Sequence, residues 1–281
     1  MNGSFDMSVF DSVVIPAGSI TASAAACILL AAVPVLFWLI WRCGHKEQIN
    51  FRYLLAGALG FLVSARVLEL GVHLVCIVFD NPISRFINGS HLAYIAYGIT
   101  MAGVFEECGR YVVLRYIMKK NKTRENAIMY GIGHGGIEVL AVTLPVYALY
   151  LAIGVLFSDF DAAQAMAMLN IDASTAAAAL PTVQAAAAFD LTGCILCVLE
   201  RIMCMFVHIG LTVVVYHAVQ SAKPVYLLYA VLLHMATDLL PAMFQRGLVS
   251  VWLCELWLLI CTVIICIFAL RLYRRSENTN H

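Results

Sequence analysis

The sequence predicts an all-α polytopic membrane protein with about seven transmembrane helices, its N-terminus outside and its C-terminus in the cytoplasm. Of 281 residues, 63% are hydrophobic and only 12% are charged, whereas ordinary soluble domains carry about 25% charged residues. The apolar residues fall into runs of about 20, the length that crosses ~30 Å of hydrocarbon as a helix. The basic residues between those runs are one-sided. Arg42, Lys46, Arg52, Lys119, Lys120, Lys122, Arg124, Lys223, Arg271, Arg274 and Arg275 lie in loops of one side, and only Arg85 and Arg246 in loops of the other. The positive-inside rule places the eleven in the cytoplasm, and seven spans satisfy the resulting parity.

In order, residues 1–19 are short and mildly acidic and lack the basic start of a secretory signal, so no cleaved peptide is expected. Ala22 to Trp41 makes the first span, and the loop from Arg42 to Arg52 is basic. Tyr53 to Phe79 is the second span. Asp80 to Ser90 is a short loop with turn chemistry at Asn81-Pro82 and Asn88-Gly89. His91 to Met118 is the third span, ending in the basic run 119–124. Asn126 to Phe157 is the fourth, with Pro145 as a kink. Residues 158–189 are alanine-rich, with Asp159, Asp161, Asp172 and Pro181, and read as an extracytoplasmic loop with short helices; an eighth membrane helix would also fit there. Asp190 to Val219, Pro224 to Leu240 and Leu248 to Leu270 complete the spans of a single transmembrane domain, 1–281.

Net charge is zero and the pI about 7.0, which offers no basic footprint for nucleic acid. The partners expected are the lipid bilayer and a membrane-associated substrate. The ten cysteines fall almost entirely in apolar stretches and none lies in 158–189, so no disulfide framework is expected. Cys194 and Cys197 form a lone CxxC inside a span and read as small packing residues.

Glu106, Glu107 and Arg110 sit midway along the third span. A charge at mid-bilayer costs at least ~2.5 kcal/mol, so three within five residues need a compensating reason. On a helix Gly103, Glu106, Glu107 and Arg110 share one face, and Glu106 precedes Arg110 by four residues, the favourable order for an ion pair. A buried pair that orients helices is the bland reading. The second carboxylate exceeds what one guanidinium neutralises, and it leaves a group able to exchange a proton.

Three more spans carry polar clusters. His134 and Glu138 are four apart on the fourth span, within a glycine-rich stretch in which Gly131 and Gly135 form a small-xxx-small surface. This HxxxE is not the zincin HExxH. His208 on the fifth span reads equally as a core histidine or as part of a site. On the sixth, His234 and Asp238 are again four apart, a spacing that lets a carboxylate orient an imidazole. Counted from the cytoplasmic ends, Glu106 lies 12 residues in, His134 8, His208 11 and His234 10, depths that agree within ~6 Å at 1.5 Å per residue. Arg66, Glu69, Glu200, Arg201 and Glu255 fall 14 to 19 residues in and form a separate outer layer, read as structural, with Glu200 and Arg201 pairing to other helices. His45, His73, His91 and His217 are read as bystanders.

With EExxR at 106–110, GxGHGGxE at 131–138, His208 and HxxxD at 234–238, the chain resembles the YhfC family of intramembrane proteases. That family is similar to the CAAX protease and bacteriocin-processing superfamily, the glutamic-type intramembrane proteases, and to the PrsW group. The resemblance implies a multi-pass protein of a prokaryotic plasma membrane that hydrolyses peptide bonds without a metal or other cofactor. It makes Glu106 the base that activates water, with His134 or Glu138 as the second motif, His208 as the middle histidine, and His234 and Asp238 as the last. Glu107 either holds Arg110 or is the protonated partner. The superfamily often shows EExxxR and FxxxH where this chain has EExxR and HxxxE. Three other readings compete: a transporter or proton-coupled channel, although no internal repeat is evident; a metal-dependent protease or metal carrier using His134, His208, His234 and a carboxylate; and a non-catalytic scaffold.

Overall fold

The computed structural model of the protein describes residues 6–118, 123–172 and 174–275; Lys119, Lys120 and Lys122 of the basic run lie outside the described residues. Among the described residues there are helices and connecting turns and no strand. The helices are α1 (Ala17–His45), α2 (Phe51–Val78), α3 (Pro82–Gly89), α4 (His91–Val112), α5 (Arg124–Asp159), α6 (Ala162–Met168), α7 (Ala176–Ala188), α8 (Leu191–Ser221), α9 (Val225–Gln245) and α10 (Val251–Arg275). Helices α1, α2, α5, α8, α9 and α10 are long and apolar enough to cross a membrane. Helix α4 has 22 residues, ~33 Å at 1.5 Å per residue, and buries Glu106, Glu107 and Arg110 against its neighbours. The chain is a polytopic helical membrane protein.

The predicted loop at Asp80–Ser90 is instead mostly the two-turn helix α3. The Asn81 side chain accepts from the Ile83 and Ser84 amides at 2.8 and 3.0 Å, and Ser84 Oγ accepts from the Asn81 amide at 3.0 Å. This reciprocal cap, with Pro82 preset at the first helical position, starts a helix where Asn-Pro alone suggests a turn.

The chain divides into two compact units, residues Met1–Ala32 with Val139–Arg201 and residues Val33–Glu138 with Ile202–His281. In the first, the alanine-rich stretch forms α6 and α7. Asp161 caps α6 through the Gln164 amide at 2.8 Å, and Asp172 accepts from the Ser174 and Thr175 amides ahead of α7. Met166, Ala176, Val183 and Ala186 of these helices form one buried cluster with Phe10 and Ile153. Here α5 widens to π pitch over Val139–Thr143, just before Pro145, which has no N–H to give the helical ladder.

The second unit is organised by close helix approaches at glycine. A Cβ at Gly57 of α2 would overlap the Tyr130 carbonyl oxygen of α5, and one at Gly133 would overlap the Leu54 carbonyl oxygen. Only glycine therefore permits this crossing. Leu114, Tyr130, Leu211, Val214 and Ile265 form its apolar core.

Candidate active site

All the site residues lie in the second unit. On α4, the i, i+3, i+4, i+7 spacing turns Gly103, Glu106, Glu107 and Arg110 to one buried face. Gly103 lets α9 approach: a Cβ there would stand 2.8 Å from Met235 Cγ and 3.1 Å from the Val231 carbonyl. That approach brings His234 to α4, where its Nδ1 donates to Glu107 Oε1 at 2.8 Å. On α5, Gly131 and Gly135 face α8, and Cβ atoms there would lie 2.9 Å from Ile209 Cα and 3.2 Å from His208 Cβ. The small-xxx-small surface is thus a packing seam, and it is what delivers His208.

Arg110 pairs with Glu107, the first of the two roles open to that carboxylate, and not with Glu106 at i, i+4. Its Nη1 is 3.0 and 3.1 Å from the two Glu107 oxygens. The i, i+3 pair forms because Glu106 is directed to α5, where His134 Nε2 donates to its Oε2 at 3.0 Å. Arg110 Nη2 also donates to His208 Nδ1 at 3.1 Å, and His208 Nε2 lies 2.5 Å from Glu138 Oε2. His234 Nε2 faces Asp238 Oδ2 at 3.4 Å. The structure therefore joins all eight residues singled out in the sequence in one polar cluster. Its exposure is graded, with side chains 0% exposed at Glu107 and Arg110, 10% at Glu106, 18% at Glu138 and 33% at Asp238. Glu106 and the two outer carboxylates mark the accessible end.

The outer layer is held by its own polar pairs. His73, read as a bystander, bridges Glu69 at 3.3 Å and the Tyr97 hydroxyl at 2.8 Å. Arg201 reaches Thr143 of α5 at 3.3 Å, the expected bond to another helix, and it also pairs with the adjacent Glu200; a long arginine can fold back onto its neighbour although their Cβ atoms diverge by ~100°. Tyr130, one turn before His134 and fully buried, escaped the sequence reading. Its i, i+4 spacing to the histidine was the available signal.

Compared with known proteins, the chain matches the family model described as YhfC intramembrane metalloprotease over residues 28–258. The chain belongs to the YhfC family of intramembrane metalloproteases. It is 32% identical over 235 residues to the protein of Bacillus subtilis (strain 168) described as uncharacterized membrane protein YhfC, covering 82% of this chain and 85% of that one. No solved structure matches the chain.

The family's description implies a metal, and the site offers a donor set to test. One ligand atom each from Glu106, His134 and His208 lies within 4.8 Å of the others. Two imidazoles and a carboxylate are the ligands of many zinc hydrolases. Glu106 is the carboxylate of this set, and His234 stands outside it, its ring held between Glu107 and Asp238. The hydrogen bonds oppose the metal in two places. His208 Nδ1, the nitrogen 3.9 Å from Glu106, has its lone pair taken by the Arg110 guanidinium. His134 Nε2 as a ligand would leave an N–H on Nδ1, a buried atom with no partner, at a cost of about 1–3 kcal/mol. Metal-bound histidines normally give that N–H to an acceptor. In this arrangement Arg110 would have to release His208 before the three residues could hold a metal.

Proposed function

We propose that the protein is an intramembrane endopeptidase of glutamic type, hydrolysing a peptide bond of a membrane-associated protein or peptide in a prokaryotic plasma membrane. The observation that carries this reading is the inequality of the two glutamates. Glu107 is sealed between Arg110 and His234, while Glu106 lies beside them at the accessible end, held by a single imidazole N–H. A carboxylate so placed can take a proton from water while the oxygen attacks the scissile carbonyl, then return it to the departing amine. His134 orients that carboxylate. His208 and His234 carry the N–H groups that can turn from Glu138 and Asp238 to the developing oxyanion, in a low-dielectric setting where such bonds are worth most. Arg110 and Glu107 fix both imidazoles. No covalent intermediate is needed.

A second reading, favoured by the donor set and the family's description, has Glu106, His134 and His208 holding zinc. It requires Arg110 to release His208. The experiment is turnover of purified protein in lipid nanodiscs, with substrate found as the precursor that accumulates in membranes of cells carrying Glu106→Gln. Chelator-resistant turnover that Glu106→Gln abolishes supports the glutamic reading, and loss to a chelator with restoration by zinc supports the metal.

A further inference from the structure

Ionisable groups in the interior of the spans are answered by partners. Arg110 has Glu107, Arg201 has Glu200, Glu69 has His73, Glu106 has His134, Glu138 has His208 and Asp238 has His234. Glu255 is engaged as well. Arg66 is the exception. Its side chain is exposed, and among the described residues no hydrogen bond, ion pair or ring contact reaches it. The nearest carboxylate along the helix, Glu69, is buried three residues on and turned to His73 at 3.3 Å.

Arg66 stands in the middle of α2, 15 residues from Phe51 and 12 from Val78, ~22 and ~18 Å along the axis at 1.5 Å per residue. An arginine near a helix end snorkels its guanidinium to the interface. From mid-span, half of the ~30 Å hydrocarbon layer separates it from either row of headgroups. Val63 one turn before it, Val67 beside it and Leu70 one turn on are all exposed and apolar, so this face of α2 meets hydrocarbon and not an aqueous path. Arg66 also lies in Leu62–Glu69, a segment wound at π pitch, a distortion that recurs at functional sites.

An unpaired guanidinium in hydrocarbon is costly, and charges are kept there where they pair or serve a function. The depth of Arg66 sets lipid phosphates out of range. A second copy of the chain is also a poor match, because its own span carboxylates are engaged. What suits a planar guanidinium at this depth is a carboxylate held there by another helix, which can accept two parallel N–H···O bonds.

We infer that this face of α2 docks a transmembrane helix of another protein that carries a carboxylate at mid-bilayer, paired with Arg66 and packed on Val63, Val67 and Leu70. Docking by this face is independent of the reaction proposed above, and the docked helix need not be the one that is cut.

The test uses the full chain in liposomes of neutral phosphatidylcholine, with a donor fluorophore at its C-terminus and an acceptor on a synthetic transmembrane helix. That helix is rich in leucine and alanine, is flanked by lysines, and carries either one glutamate or one glutamine at its centre. Energy transfer reads the association. Wild type is expected to bind the glutamate helix about tenfold more tightly than the glutamine helix. Arg66→Leu should bind both alike, and Arg66→Lys should keep part of the preference, since a point charge lacks the planar fork. Leucine suits a lipid-facing position, so Arg66→Leu is expected to melt at or above the wild-type temperature. Equal binding of the two helices by wild type overturns the inference, as does a preference that survives Arg66→Leu. Arg66-dependent energy transfer between copies of the chain would assign the face to a second copy, and loss of the preference on adding phosphatidylglycerol would assign Arg66 to lipid phosphate; either result overturns it too.

Discussion

Glu107 and Arg110 form an ion pair, 3.0 Å apart with both side chains fully buried, and this pairing gives the two adjacent glutamates different partners. Arg110 passes the same constraint to His208, and Glu107 passes it to His234. Glu106 is left to His134 and the accessible end of the cluster.

Glu106→Gln is expected to abolish turnover with little loss of stability, because the amide keeps the shape but cannot take a proton. A fall in kcat of at least ~10²-fold is expected from removing a general base. Glu107→Gln leaves Arg110 buried and underpaired, which costs about 3–5 kcal/mol, so its first effect should be on melting temperature and expression. Cleavage assays and melts of both purified variants check the contrast.

Metal content separates the two proposed mechanisms. Purified protein is expected to hold less than stoichiometric zinc by elemental analysis and to keep its activity in a chelator. Arg110→Lys is expected to lower activity as well, since a point charge cannot hold Glu107 and His208 with one planar fork; under the zinc reading, freeing His208 would raise metal content instead.

The charge bias sets an orientation that reporters can read. Extracytoplasmic reporters fused after Asp80 and Asp172 should be active, and those after Thr123 and Arg275 inactive. An active fusion at Thr123 would reverse the topology, and a cytoplasmic result at Asp172 would break the seven-span parity.

Glycine substitutions should divide by what their Cβ meets. Gly133→Ala forces a methyl onto the Leu54 carbonyl, which the backbone cannot move cheaply, and Gly57→Ala does the same at Tyr130. Each is expected to destabilise by about 1–3 kcal/mol. Gly71→Ala and Gly98→Ala face open space and should be neutral or stabilising by up to ~1 kcal/mol, the helix preference for alanine. Thermal melts of the four variants in one detergent make the comparison.

Helical periodicity and hydropathy by themselves determined the membrane class, the course of the long helices, the buried face of Glu106, Glu107 and Arg110, and the common depth of His134, His208 and His234. Those properties follow from 100° and 1.5 Å per residue along a single helix, so no knowledge of neighbours is needed. Only the tertiary structure decided which glutamate holds Arg110 and which carboxylate faces each imidazole. Partners across helices depend on how closely two backbones approach and how each helix is rotated. In this protein Gly103, Gly131, Gly133 and Gly135 set those approaches, and a glycine's meaning is invisible until the helix opposite it is known. The helix within Asp80–Ser90 and the contacts of His73 are not legible in the sequence for a related reason. A side chain that caps a helix or reaches a tyrosine on the next one acts through contacts that spacing alone does not reveal.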